Sequence, residues 1–257
     1  MTQIPPPIMG HRSPARGALL ALLLGLAGLV PPASAQQLDR ESVISRAQNA
    51  YFKEDAAGLG RLEASTRTWA GAKDPLDLYA HAFVQFRILQ LAVKQKKEGP
   101  AAIAGKACVA ALDTALAGSA RFTEGHALQS ACYGYLANLG GFAAIRNGSR
   151  SGSSIDKALA QAPRNPRVIL VDAMGYQFRP SFAGGDPKKA CARFLEAVVA
   201  FDRDEGANGI RWGAPEAHYW VGRCKRAEGD REAERQFFER ALQQAPDFAA
   251  ARRALGR

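Results

Sequence analysis

Apolar side chains recur along this chain at intervals of three and four. The clearest case is DPLDLYAHAFVQFRILQLAVKQKK, residues 74–97, where Leu78, Ala82, Phe83, Phe86, Leu89 and Leu91 keep mostly to that spacing and so share one face of a helix. Asp74 stands where a side chain can accept from the first free amides, and Pro75 suits the first helical position because it has no amide hydrogen to leave unsatisfied. Similar patterns predict helices near residues 42–54, 57–68, 100–116, 123–139, 154–161, 166–178, 187–201, 215–227, 231–244 and 248–255. Gly, Pro, Asn and Asp punctuate them, the residues that tolerate turn conformations. RVILVDA, residues 167–173, is the best strand candidate, yet its flanks continue a helical stripe. The pattern predicts an all-α fold.

Paired helices of this size invite a search for internal repetition at roughly 34 residues. PEAHYWVGRCKRAEGDREAERQFFERALQQAP, residues 215–246, has Gly222 at a small position of a first helix and Gly229 and Asp230 in a turn. Phe238, Ala241 and Leu242 lie on a second helix that ends at Pro246. These spacings resemble a tetratricopeptide repeat (TPR), although Ala233 comes one place early and Lys225 stands where an aromatic is typical. EGHALQSACYGYL, residues 124–136, looks like another first helix, and IDKALAQAP, residues 155–163, ends its partner. GGFAAIRNGSRSG between them is expected to hold a short helix followed by a loop. In the next unit, NPRVILVDAMGYQF leads into GGDPKKACARFLEAVVAF through a turn about five residues longer than that of the last unit.

The order of these segments over residues 123–246 resembles a group of exported bacterial TPR-like proteins of uncharacterised function. In looser outline it is similar to the T-component proteins of TRAP transporters. The resemblance implies a short right-handed TPR-like α-solenoid of helical hairpins: an N-terminal helical segment at residues 36–121, then repeats at 122–257, with units near 123–163, 165–202 and 214–246. A solenoid suggests binding or scaffolding of a protein or peptide. The transport-accessory likeness suggests a small molecule held between helices instead, and a third possibility is an envelope enzyme with an unrecognised carboxylate.

The chain's first residues read as an export signal. Arg12 and Arg16 precede the apolar run ALLALLLGLAGLV, and ASA, residues 33–35, has the spacing of a cleavage site. The run is shorter than the ~18–20 residues that span a bilayer, so we expect residues 1–35 to be removed near Ala35, a periplasmic address and no membrane span in the mature chain. Net charge falls from +10 by the two arginines to +8. The cations are dispersed rather than gathered into a patch, so no specific nucleic-acid binding is indicated. KQKK, residues 94–97, is read as a solvated helix end. In an exported chain the four cysteines favour disulfides, and Cys108 with Cys132 and Cys191 with Cys224 would each staple two consecutive helices.

Candidate chemistry is sparse. FAGGDPKKACARF, residues 182–194, has the look of a phosphate loop, but its glycines are adjacent, no Ser or Thr follows the lysines, and the preceding element is helical. Asp186 as helix cap and Pro187 as first helical residue account for it. His81, His126 and His218 are isolated on different helices without chelating partners, and no nucleophile elbow is present. No cofactor, metal site or catalytic residue is therefore expected. In RWGAPEAHYWVGR, residues 211–223, the repeat register would expose Glu216, Tyr219 and Arg223 together in a concave groove, where Tyr and Arg are common anchors of recognition. Trp212 and Trp220 are expected to pack under the long loop that contains Phe178 and Phe182.

Overall fold

The computed structural model describes residues 39–257, so the expected leader at residues 1–35 lies outside the described residues. Eleven α-helices follow one another among them. They are α1 (Arg40–Phe52), α2 (Ala56–Thr66), α3 (Pro75–Lys94), α4 (Glu98–Gly118), α5 (Thr123–Asn138), α6 (Ala144–Gln161), α7 (Pro166–Phe178), α8 (Pro187–Phe201), α9 (Ala214–Glu228), α10 (Arg231–Gln244) and α11 (Ala249–Ala254). Consecutive helices pack as hairpins, α1 with α2 through α9 with α10, and α11 closes the end. The architecture is an all-α, TPR-like solenoid, and hairpin packing extends through the N-terminal segment as well.

Local chemistry sets the helix ends. Asp39, Asp74, Asn165 and Asp186 each accept from amides of the first turn that follows, and Pro75, Pro166 and Pro187 occupy first positions. Asp186 Oδ1 accepts from the amides of Lys188 and Lys189 at 3.0 and 3.1 Å, so GGDPKK is a turn and a cap. At Gly185 an added Cβ would stand 1.9 Å from the Arg179 carbonyl oxygen. That close backbone approach folds the longer turn.

The helix at residues 144–161 corrects one expectation. A short helix and a loop were expected in GGFAAIRNGSRSG, yet α6 runs unbroken from Ala144. Gly148 and Gly152 lie within it with open space where a side chain would be. Ser151 and Ser154 turn inward, Ser151 donating to the Ser130 carbonyl at 2.9 Å and Ser154 to Gln129 Oε1 at 2.7 Å. Burial of Ile155 and Ala158 with these bonds outweighs the weak intrinsic helix preference of Gly and Ser.

Two disulfides join neighbouring hairpins, pairing Cys108 of α4 with Cys132 of α5 and Cys191 of α8 with Cys224 of α9. Helix α4 is long and apolar enough by composition to cross a membrane. Its Ala101, Ala104, Cys108, Leu112 and Ala115 are instead buried in the core, and the disulfide ties it to α5.

Helices α1, α3, α5, α7 and α9 share a direction, and the Tyr79 ring near the start of α3 lies 5.2 Å from that of Phe122, the cap of α5. Arg40 at the start of α1 pairs with Asp74 and Asp77 at the start of α3. Asn165, the cap of α7, donates to Glu124 in the first turn of α5 at 2.7 Å. Arg211, just before α9, pairs with Glu41 of α1 at 3.3 Å. The turns that leave α3, α5 and α7 therefore all lie at the opposite edge.

Candidate functional site

The face made by the odd-numbered helices closes on itself. Helix α3 reaches α9, where Arg87 Nη2 lies 2.6 Å from Glu216 Oε1 and Trp212 Nε1 donates to the Tyr79 hydroxyl at 2.8 Å. Gln48 of α1 donates to Glu216 Oε2 at 2.8 Å and accepts from Arg87. The rings of Phe52 and Phe248 meet at 4.2 Å, joining α1 to the cap of α11. Arg87 is 1% exposed, and its guanidinium carbon lies 4.7–5.6 Å from the ring centroids of Phe83, Tyr51, Phe86 and Trp212. Its Nε has no hydrogen-bond partner, so the negative faces of these rings supply part of its stabilisation. Burial pushes the Tyr51, Tyr79 and Tyr135 phenols up, which keeps their protons in place.

This arrangement corrects the expectation for Glu216. It is 8% exposed and forms the carboxylate half of a buried clasp, because the first hairpins fold across the face that it was expected to line. The clasp was missed in the sequence. Its signal was the polar series Gln85, Arg87 and Gln90 among apolar neighbours in the second half of α3.

Tyr219 and Arg223 remain on an accessible surface. Arg223 is exposed and Tyr219 half-buried, with Arg223 Nη1 3.5 Å from the Tyr219 hydroxyl and its guanidinium carbon 5.3 Å above the Trp220 ring. Trp220 stacks on Phe194 at 5.5 Å and meets Phe178 edge-on at 5.3 Å. The Cys191–Cys224 disulfide lies within one helical turn of both stacked rings, so it fixes the spacing of the helices that carry them. Trp220 thus packs beside the long turn as expected. Trp212 does not: it sits between Phe83, at 5.4 Å, and Phe86, at 6.3 Å. Phe182 is not covered by it and is 91% exposed.

The remaining polar groups are dispersed. Thr66 Oγ1 stands 3.1 Å from His81 Nδ1, His126 Nε2 lies 3.0 Å from the Ala120 carbonyl, and His218 packs 6.1 Å from the Phe237 ring. Among the described residues no group of three or more His, Cys, Asp or Glu could hold a metal. A polar recess of about 310 Å³ lies between α4, α5 and α6. There Asp113 accepts from Gln129 at 2.8 Å, and burial pushes its carboxyl up.

No protein-family model matches the chain, and no curated protein matches it. Among solved structures it is similar to a thermophilic TPR protein of Thermus thermophilus, at 18% identity over 85% of this chain and 98% of that one, with a TM-score of 0.49. It is also similar to the HusA haemophore of Porphyromonas gingivalis, at 17% identity over 74% of this chain and 96% of that one, with a TM-score of 0.54. At these identities the likeness is one of fold.

Proposed function

We propose that this chain is a non-catalytic scaffold of the cell envelope that holds a protein or peptide partner on the surface formed by Phe178, Tyr219, Trp220 and Arg223. The observation that carries this reading is Arg223, exposed above the half-buried Trp220 ring and, among the described residues, paired with no carboxylate. Trp, Tyr and Arg dominate the few residues that supply most of an interface's affinity. Here they are preorganised by Phe194 and the neighbouring disulfide, which lowers the entropy lost on binding. Two disulfides suit an oxidising compartment such as the periplasm.

Affinity capture from an envelope extract, followed by titration of the captured partner, tests the proposal. Tyr219→Ala and Arg223→Ala are each expected to weaken binding about tenfold or more. If both variants, with unchanged helical circular dichroism, capture the same partners at the same affinity, the surface is wrongly assigned. A small planar carboxylate is a second reading, favoured by a guanidinium beside a stacked indole; one solved relative by fold is a haemophore. Absorbance titration with haem separates the two: a saturable shift lost in Trp220→Ala supports the second.

A further inference from the structure

The turns leaving α3, α5 and α7 share one edge, and two of them carry apolar residues at their tips. Phe142 is fully exposed, Phe182 is 91% exposed and Ile145 is 87% exposed. These are large apolar areas to leave in water, at about 25 cal/mol for each Å². Glycines flank both phenylalanines: Gly140 and Gly141 have φ of 80° and 73°, and Gly184 has 87°.

Cations surround the tips. Lys96 and Lys97 lie in the α3–α4 turn, Arg146 in the first turn of α6, and Lys188 and Lys189 in the first turn of α8. All are exposed, and among the described residues none forms an ion pair. Of the nearby acids, Asp186 is engaged with the amides of α8, Asp172 with Arg193 and Glu54 with Lys94, while Glu98 forms no ion pair among the described residues. At the opposite edge Arg40 pairs with Asp74 and Asp77, Arg211 with Glu41, and Arg167 with Asp204, while Lys73, Arg121, Arg164 and Arg203 are exposed.

We propose that this edge docks on an anionic lipid surface, with Phe142, Ile145 and Phe182 entering the headgroup boundary and Lys96, Lys97, Arg146, Lys188 and Lys189 facing the lipid phosphates. A bilayer accepts protruding apolar tips without a complementary pocket, and basic residues beside them add attraction to anionic lipids. A second copy of the chain would bring the same positive charge and be repelled. Tyr219 and Arg223 are not among these residues, so substituting them tests the first proposal and substituting the tips tests this one.

The test is co-sedimentation of the exported chain, purified from cells, with vesicles of phosphatidylethanolamine and phosphatidylglycerol and with vesicles of phosphatidylcholine alone. The wild type is expected to sediment with the anionic vesicles, less at high salt, and to stay in solution with the neutral ones. Phe142→Ser with Phe182→Ser, and separately Lys188→Glu with Lys189→Glu, are each expected to lower binding about tenfold or more. Leu195→Ser with Val199→Ser, exposed on α8 away from the tips, controls for general loss of apolar surface and keeps full binding, as does Tyr219→Ala with Arg223→Ala. No sedimentation with anionic vesicles overturns the proposal. So does equal binding by the Phe142/Phe182 variant, or wild-type self-association abolished by that same variant, which would make the edge a protein interface.

Discussion

Arg87 and Glu216 stand 129 residues apart in sequence and 2.6 Å apart in space. Their pairing draws the second hairpin of the solenoid onto its last, and Gln48 bonds both. Removing one partner leaves a buried charge without compensation. Glu216→Ala is expected to cost about 3–5 kcal/mol of stability in urea unfolding. Arg87→Met combined with Glu216→Leu is expected to cost less than either single change, because no charge then remains to desolvate.

Two glycines in helices have opposite expected responses. At Gly222 an added Cβ would lie 2.7 Å from the Phe238 ring, which is itself fully buried. Gly222→Ala should therefore destabilise by about 1–2 kcal/mol despite the helix preference of Ala, and Phe238→Leu in the same chain should recover part of it. Gly148 faces open space, so Gly148→Ala should raise stability by about 0.5–1 kcal/mol. Thermal melting of the three variants checks both signs.

The disulfides close loops of 24 and 33 residues, for which the loss of unfolded-chain entropy stabilises by about 3–4 kcal/mol each. Cys191→Ser with Cys224→Ser should lower the melting temperature. It should also loosen the Trp220–Phe194 stack, seen as a change in the near-ultraviolet circular dichroism. Cys108→Ser with Cys132→Ser should lower the melting temperature while leaving the Trp220 signal unchanged.

His81 and His218 are held below the usual histidine range by burial, reinforced at His218 by Arg240. A histidine whose folded pKa is depressed binds fewer protons in the folded state than in the unfolded one. Stability from these two groups is therefore complete above the unfolded value of about 6.5 and falls as pH drops below it. Buried Asp113 and Asp172, whose carboxyls are pushed up by burial, act in the opposite sense at lower pH. The loss of melting temperature between about pH 7.5 and about pH 5.5 should shrink in His81→Asn combined with His218→Asn. An unchanged loss would remove the histidines as its source.

Much of the fold was legible in the sequence because its causes are local. The apolar spacing of residues 74–97, the caps at Asp74 and Asp186, and Gly229 and Asp230 of the last turn act within a few residues of where they stand. The expected ranges of helices α7, α8 and α10 match the observed ones. Even the cysteine pairs followed from neighbouring helices being neighbours in space. Where local propensity was outweighed by packing, as at Ser151 and Ser154 in α6, the expectation of a loop did not hold.

The candidate site was only half legible. Repeat register put Glu216, Tyr219 and Arg223 on one face, which is a property of a single helix. Which of them meets solvent depends on what lies across that face, and this is decided by helices more than a hundred residues away. Spacing in one hairpin carries no information about Arg87 arriving over Glu216, nor about Trp212 entering the core between Phe83 and Phe86. The alignment of Phe142 and Phe182 at one edge likewise needs the parallel course of α5 and α7. The sequence by itself determined the helices, their caps and their pairing, since those follow from interactions between near neighbours. Only the tertiary structure decided which surface is buried and which is offered to a partner, because that depends on long-range burial and charge pairing summed over the whole stack.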